Sequence, residues 1–280
     1  MSLGDHIAEY IPEFAQHGKG DITLFQVLTH QGGFPNSKIT PEAWNDHQEL
    51  RRQVCNFTLE WTPGTQLFYH GESAHWTAAV LIEAITGRDF REVIRTQLLD
   101  PLGITDIHVG VPDAHQDRCA DMHLLEGDWQ VCIAESSTAA FRAAGRPGGG
   151  GFATAAALTA FYQMILAGGV LNGVRVLSPR MIQYATRNHT DEKVDGNQGI
   201  AMHRGIGPYL RGTTSLGPSL GTLATPSTFG HGGAGSSFTF ADPESGLSFT
   251  YLQNSRRENP WIKRHMDRVA NIVHSALIDP

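Results

Sequence analysis

The sequence is poor in cysteine and has none of the common spacings that clamp a metal. Its three cysteines, Cys55, Cys119 and Cys132, are widely separated in 280 residues. No C-x-x-C occurs, so the spacing supports neither a disulfide framework nor a zinc knuckle. The 14 histidines include no H-E-x-x-H. His70-Gly71-Glu72 imitates the H-x-E of zinc deaminases, but no P-C-x-x-C follows it. No metal and no cofactor are therefore expected. No run of about 18 apolar residues is present, so no membrane span is expected. The N-terminus, MSLGDHIAEYIPEF, lacks the basic-then-apolar pattern of a signal peptide, which makes a cytoplasmic location the expectation. There is no basic block, and the net charge is -7, which argues against nucleic acid as the main partner. The glycines Gly148 to Gly151 are not followed by Gly-Lys-Ser/Thr and do not form a phosphate loop.

What is present is an ordinary globular composition, with 40% apolar and 18% charged residues. A length of 280 residues suits one large domain or two lobes around a shared core. Asp21 or Thr23 caps a short helix through Leu24, Val27 and Leu28. Thr40-Pro41 reads as the start of a helix through QELRRQVC. Trp76, Ala79, Val80, Glu83 and Ala84 recur at helical spacing before Gly87. Further helices are expected in DFREVIRTQLL, in AAALTAFYQMIL behind Thr154, and in SPRMIQYA. After about residue 200 the pattern alternates. SSFTFADPESGLSFTYLQN reads as a β-hairpin turning at Asp242-Pro243 and Ser245-Gly246, and WIKRHMDRVANIVHSALI as an amphipathic helix. The expectation is a single domain over 1–280, with a helical lobe at about 20–200 and a sheet and C-terminal helix at about 201–280.

The stretch FGHGGAGSSFTFADP carries the first candidate chemistry. Gly230, Gly232 and Gly235 have the G-x-G-x-x-G spacing, but a dinucleotide loop needs a helix after it, and Ser-Phe-Thr-Phe reads as a strand. A second candidate is an α/β-hydrolase elbow at Gly71-x-Ser73, where His75 stands in place of the last glycine. In that fold the oxyanion loop lies upstream of the nucleophile, whereas HGGAG lies far downstream. The commoner role for Ser73 is a helix N-cap.

Four segments occur in a meaningful order: DITLFQVLTHQGGFP; WTPGTQLFYHGESAHW with the helices after it; PGGGGFATAAALTAFYQMILAGG; and FGHGGAGSSFTFADPESGLSFTYLQN. Together they resemble the serine β-lactamases and penicillin-binding-protein-like esterases, in particular the class C-like branch of carboxylesterases and acyltransferases. The resemblance implies an α+β, β-lactamase-like fold, with a mostly helical lobe and a small antiparallel sheet covered by the C-terminal helix. It implies hydrolysis or transfer of an acyl group through an acyl-serine, with a small-molecule acyl ester or amide as ligand.

By the same resemblance, Tyr69 in FYHG matches the catalytic tyrosine, a general base whose phenol is lowered by nearby positive charge. Gly71 stands where the family often has asparagine, which favours an ester-tuned over a lactam-tuned site. His231-Gly232-Gly233 matches the triplet on the opposite wall, read as the start of an edge strand. Gly232 and Gly233 would let an acyl group lie against the backbone, with the Ala234 N–H as oxyanion donor. The family's Ser-x-x-Lys has no match, since no serine of this chain is followed three residues later by lysine. The chain is therefore expected to be N-terminally incomplete relative to the family and inactive by its mechanism, and whether it is an enzyme is left open. It is expected to be a truncated product, one piece of a split or oligomer-completed enzyme, or a non-catalytic ligand-binding relative. The sheet is expected to have an unpaired edge and a partly uncovered face, open to self-association or a partner chain.

Overall fold

Helices occupy the stretches where apolar residues recur at helical spacing behind a capping side chain. The computed structural model describes residues 1–126, 129–213, 219–234, 237–257 and 260–278; Gly235 of the glycine motif lies outside them. The helix Leu24–Leu28 is capped by Thr23, whose hydroxyl accepts from the Gln26 N–H. The helix Ala155–Leu166 is capped in the same way by Thr154. Ser73–Thr86 ends at Gly87 in the left-handed region, φ 66°. Its Trp76, Ala79, Val80 and Leu81 are buried against Phe14, Phe34 and Phe90 in the core of the helical lobe. A fully buried phenylalanine of this kind contributes about 1.5–3 kcal/mol.

One expected helix is shorter than its sequence suggested. Thr40-Pro41 opens only a single 3-10 turn, Pro41–Ala43. The α-helix runs from His47 to Cys55 and is capped by Asp46, which accepts from the N–H groups of Gln48 and Glu49. A carboxylate at the N-cap satisfies two orphan donors, so it overrides the earlier Thr-Pro signal.

The C-terminal part forms a four-stranded antiparallel sheet in the order Leu247–Tyr251, Phe238–Asp242, Phe229–Gly232, Tyr209–Leu210. The hairpin expected around Asp242-Pro243 is its first pair, with Asp242 opposite Leu247. Both faces of the sheet are covered. Phe238 and Phe240 pack on Met266 and Ala270 of the helix Trp261–Ser275. On the other face, Tyr162 of Ala155–Leu166 stacks on Phe229 at 6.0 Å, and Thr159 bonds Thr250. The expectation of a partly uncovered face is thus corrected, while Leu247–Tyr251 does end the sheet. The His231 strand is not at an edge either. It lies second from the other end, but of that strand Tyr209–Leu210 reaches just Phe229 and Gly230. His231 and Gly232 run on past that short neighbour, and this places them beside Tyr69.

Candidate active site

Tyr69 and His231 are 162 residues apart in sequence, yet Tyr69 Oη lies 3.4 Å from His231 Nε2. Tyr69 sits on an irregular segment just before the Ser73–Thr86 helix. A parallel bridge from Leu67 to Asp195 and the Gly196 N–H bond to Leu67 O tie that segment to the two-residue strand Val194–Asp195. His231 arrives from the sheet. Its Nδ1 is 2.7 Å from the Gly232 carbonyl, so Nδ1 carries the proton and donates there. Burial, with smaller effects from Arg204 and His75, holds the imidazole at about 4, so it is neutral at pH 7. The free Nε2 lone pair then faces the Tyr69 hydroxyl as an acceptor.

Tyr69 departs from what the resemblance implies. Burial raises its pKa, and the nearby Asp195 adds to this; Arg204 opposes both without overcoming them. The phenol is therefore protonated at neutral pH and donates to His231.

Histidines surround this pair. His30 stacks edge-on to Tyr69 at 4.7 Å and has φ 59°. That backbone conformation costs a non-glycine residue about 1–3 kcal/mol. It is held by the His30 N–H bond to Val27 O and by the Phe68 N–H bond to His30 O. The His30 Nδ1 accepts from the His70 N–H at 3.2 Å. His70 is spent on the backbone, with Nδ1 donating to Phe68 O at 2.6 Å and Nε2 accepting from Phe34 N–H at 3.1 Å. Burial holds His70 at about 4 and pushes His30 and His75 down as well.

Beneath the Tyr69 ring lies a buried ion pair. Arg204 Nη2 is 2.6 Å from Asp195 Oδ2, and the guanidinium carbon is 4.8 Å from the ring centroid. Nothing in the local sequence AMHRGIG marks Arg204, nor does VDGNQG mark Asp195. Long-range pairing alone brings them to the site, and no motif could have found them.

A cavity of about 280 Å³ opens beside Tyr69, lined among others by Asn36, Lys38, Phe68, Gly71, Glu72 and Asn197. His231 does not line it. A Cβ on Gly71 would touch only the Tyr69 ring, at 3.4 Å, so the position has room for a side chain. The loop Gly148–Gly151 has a structural part, since a Cβ on Gly148 would clash with the Gly71 carbonyl. Arg146 Nη2, just before that loop, pairs with Glu72 at 2.7 Å.

The glycines on either side of His231 serve different ends. A Cβ on Gly230 would stand 2.9 Å from Phe240 Cα and collide with the Thr239 carbonyl of the paired strand. A Cβ on Gly232 would press the Met266 methyl at 2.9 Å, so its smallness admits the C-terminal helix. Gly233 is exposed, and a Cβ there meets only Ser237, at ordinary contact distance. Ala234 is exposed in the turn that follows. Gly230→Ala is expected to destabilise by about 1–3 kcal/mol through overpacking, and Gly233→Ala by no more than about 0.5 kcal/mol. Urea denaturation of the two variants checks the contrast, and equal losses would contradict it.

Ser73 is not a nucleophile of the elbow type. It is fully buried in the first turn of its helix, and its Oγ has no hydrogen-bond partner. It is not the N-cap either, because Glu72 holds that position. Among the described residues, one His-carboxylate group could hold a cation: His47, Glu83 and Asp89. Arg91 Nη1 already stands 2.9 Å from Asp89 Oδ2 and supplies the positive charge there. Among the described residues no helix is long and apolar enough to cross a membrane.

Residues 1–272 match the family model described as Beta-lactamase. The chain belongs to the Beta-lactamase family. Its relatives within that family include esterases and penicillin-binding-protein homologues. It is 28% identical over 279 residues to the "Esterase/beta-lactamase LipL" of Mycobacterium tuberculosis, covering 89% of this chain and 62% of that protein. The chain thus spans about 62% of the length of the first curated relatives it matches. A penicillin-binding protein homologue from Caulobacter crescentus superposes with a TM-score of 0.82 at 26% identity, over 99% of this chain and 77% of that one. A family VIII carboxylesterase gives 0.80 at 25% identity, over 96% and 77%. The β-lactamase-like fold expected from the ordered motifs is therefore the fold observed.

Proposed function

We propose that the Tyr69–His231 cleft is the tyrosine wall of a β-lactamase-type acyl-ester site, and that this polypeptide binds acyl esters or amides without forming an acyl-enzyme by the family route. The observation that carries the reading is the 3.4 Å approach of Tyr69 Oη to a neutral His231 Nε2. In this reading Tyr69 is the group that exchanges a proton with the acyl-transfer centre, and His231 orients the phenol by accepting its hydrogen bond through Nε2. A phenol raised by burial stays protonated and an imidazole held at about 4 is too weak a base to take its proton, so the contact acts as a hydrogen bond that fixes the hydroxyl's direction. Gly232, Gly233 and Ala234 form the opposite wall, with the Ala234 N–H as oxyanion donor. Gly71 presents no side-chain amide to an acyl-amide ligand, which favours esters. No serine is followed three residues on by lysine, so the chain carries no helix-borne serine activated by a lysine one turn away.

The test uses the purified chain with p-nitrophenyl butyrate and a chromogenic β-lactam. Saturable binding of the ester, no burst of nitrophenol and an unchanged protein mass are expected. A stable acyl adduct on any residue overturns the non-acylating part of the reading. Ester binding that persists unaltered in Tyr69→Phe/His231→Ala overturns the placement of the site.

A further inference from the structure

We propose that Arg204 is the positioning residue of the Tyr69 site: its guanidinium seats the phenol ring from one face and, through Asp195, fixes the backbone that carries it. The functional consequence rests on the reading of Tyr69 given above; the geometry does not. Arg204 is 3% exposed and Asp195 fully buried. The Asp195 carboxylate splits its two oxygens between the two tasks. Oδ2 takes the Arg204 Nη2 at 2.6 Å, while Oδ1 accepts from the Tyr69 N–H at 3.3 Å and the Asn197 N–H at 2.9 Å. The arginine's own backbone is anchored by an antiparallel bridge to Tyr209 and by its N–H bond to Thr190 Oγ1 at 3.0 Å. Ring, carboxylate and guanidinium thus form one unit spanning three segments of the chain.

A merely structural filler would not take this form. Buried ion pairs can often be replaced by well-packed apolar side chains of similar volume at little cost in stability. Here Arg204 Nε is also buried with no hydrogen-bond partner, which a packing role leaves unexplained. What an apolar residue cannot supply is a permanent charge against the aromatic face. That charge acts on the groups around it in one direction. It opposes the burial that raises Tyr69, and it adds to the burial that lowers His30, His70, His75 and His231. Asp195 works against it more weakly at Tyr69, and more strongly at His70. Tyr209, the other phenol at 5.2 Å from His231, is pushed up to about 12 by burial and stays protonated. Arg204 therefore makes the Tyr69 proton easier to give up and keeps His231 a neutral hydrogen-bond acceptor for the phenol.

The experiment follows the tyrosine and imidazole ring signals of the full chain against pH by NMR. In Arg204→Met/Asp195→Asn both charges are gone, and the carbonyl oxygen of the introduced amide still accepts from the Tyr69 and Asn197 N–H groups. His231 and His75 are expected to titrate at higher pH than in the natural sequence, and Tyr69 higher as well. Unchanged His231 and Tyr69 titrations in a variant that still unfolds cooperatively overturn the proposal. Should that variant not fold, Arg204→Lys decides: it keeps the charge and loses the planar contact. The expected result there is a His231 titration close to the natural one with displaced Tyr69 ring signals, and undisplaced Tyr69 signals overturn the proposal. Binding of p-nitrophenyl butyrate to the natural chain is read separately. Its absence sinks the ester reading and leaves the role of Arg204 standing.

Discussion

Arg204→Ala is expected to lower the unfolding free energy by about 3–5 kcal/mol, the usual consequence of stranding one partner of a buried ion pair. Asp195 is fully buried, so after the substitution its carboxylate keeps two backbone N–H donors but loses its counter-charge. A domain of this kind holds only about 5–15 kcal/mol in all, so the variant is expected to unfold at markedly lower urea. The charge argument makes a second demand. In Arg204→Met/Asp195→Asn neither charge remains, the volume is largely kept, and the N–H groups retain an acceptor. More than half of the loss is expected to be recovered, leaving a deficit of about 1–2 kcal/mol. Equal losses in the single and double variants would mean that packing, not electrostatics, dominates at this position.

The fold was more legible in the sequence than the site was. Local signals that do not compete are legible: Thr154 as a cap, Thr23 as one of two candidate caps, Gly87 as a helix stop, the hairpin at Asp242-Pro243. Where two local signals compete, the sequence alone does not rank them. Thr40-Pro41 looked like a helix start, but the carboxylate of Asp46 captures two N–H groups and sets the boundary. Tyr69 and His231, which the structure brings within 3.4 Å, are visible in the sequence because each lies in a motif that the family order locates. Their surroundings are not. His30, Asp195 and Arg204 come from segments joined by a two-residue strand and single bridges, features too short to leave a periodic pattern. The direction of the tyrosine's pKa is hidden from the sequence for a related reason. The family argument supplies positive charge, whereas burial is a property of the assembled lobes and outweighs the one guanidinium in contact.

That same burial governs the second large effect, loss of stability in mild acid. His70 and His231 are both held at about 4 in the folded protein, chiefly by burial, and His30 and His75 are displaced in the same direction. In the unfolded chain a histidine takes up its proton near pH 6.5. Between the two values the unfolded state binds more protons than the native state, so stability falls as pH falls, starting near 6.5 and continuing to about 4. Each such group contributes up to about 1.4 kcal/mol per pH unit within that window. From pH 7 to pH 5 the unfolding free energy is therefore expected to drop by about 2–4 kcal/mol. The window separates this from the carboxylates that their partners lower, whereas Glu83, raised by burial, acts inside it with the opposite sign. Asp5 and Asp106 are lowered by their partners and Glu49 lies at about 2, so their contributions fade only below about pH 4.5. Urea unfolding at half-unit pH steps measures the slope, and His231→Gln should flatten it by close to one proton. A free energy that stays level between pH 7 and pH 5 would show that the histidines are hydrated in solution, and with that the neutral His231 that the Tyr69 pairing requires would be lost.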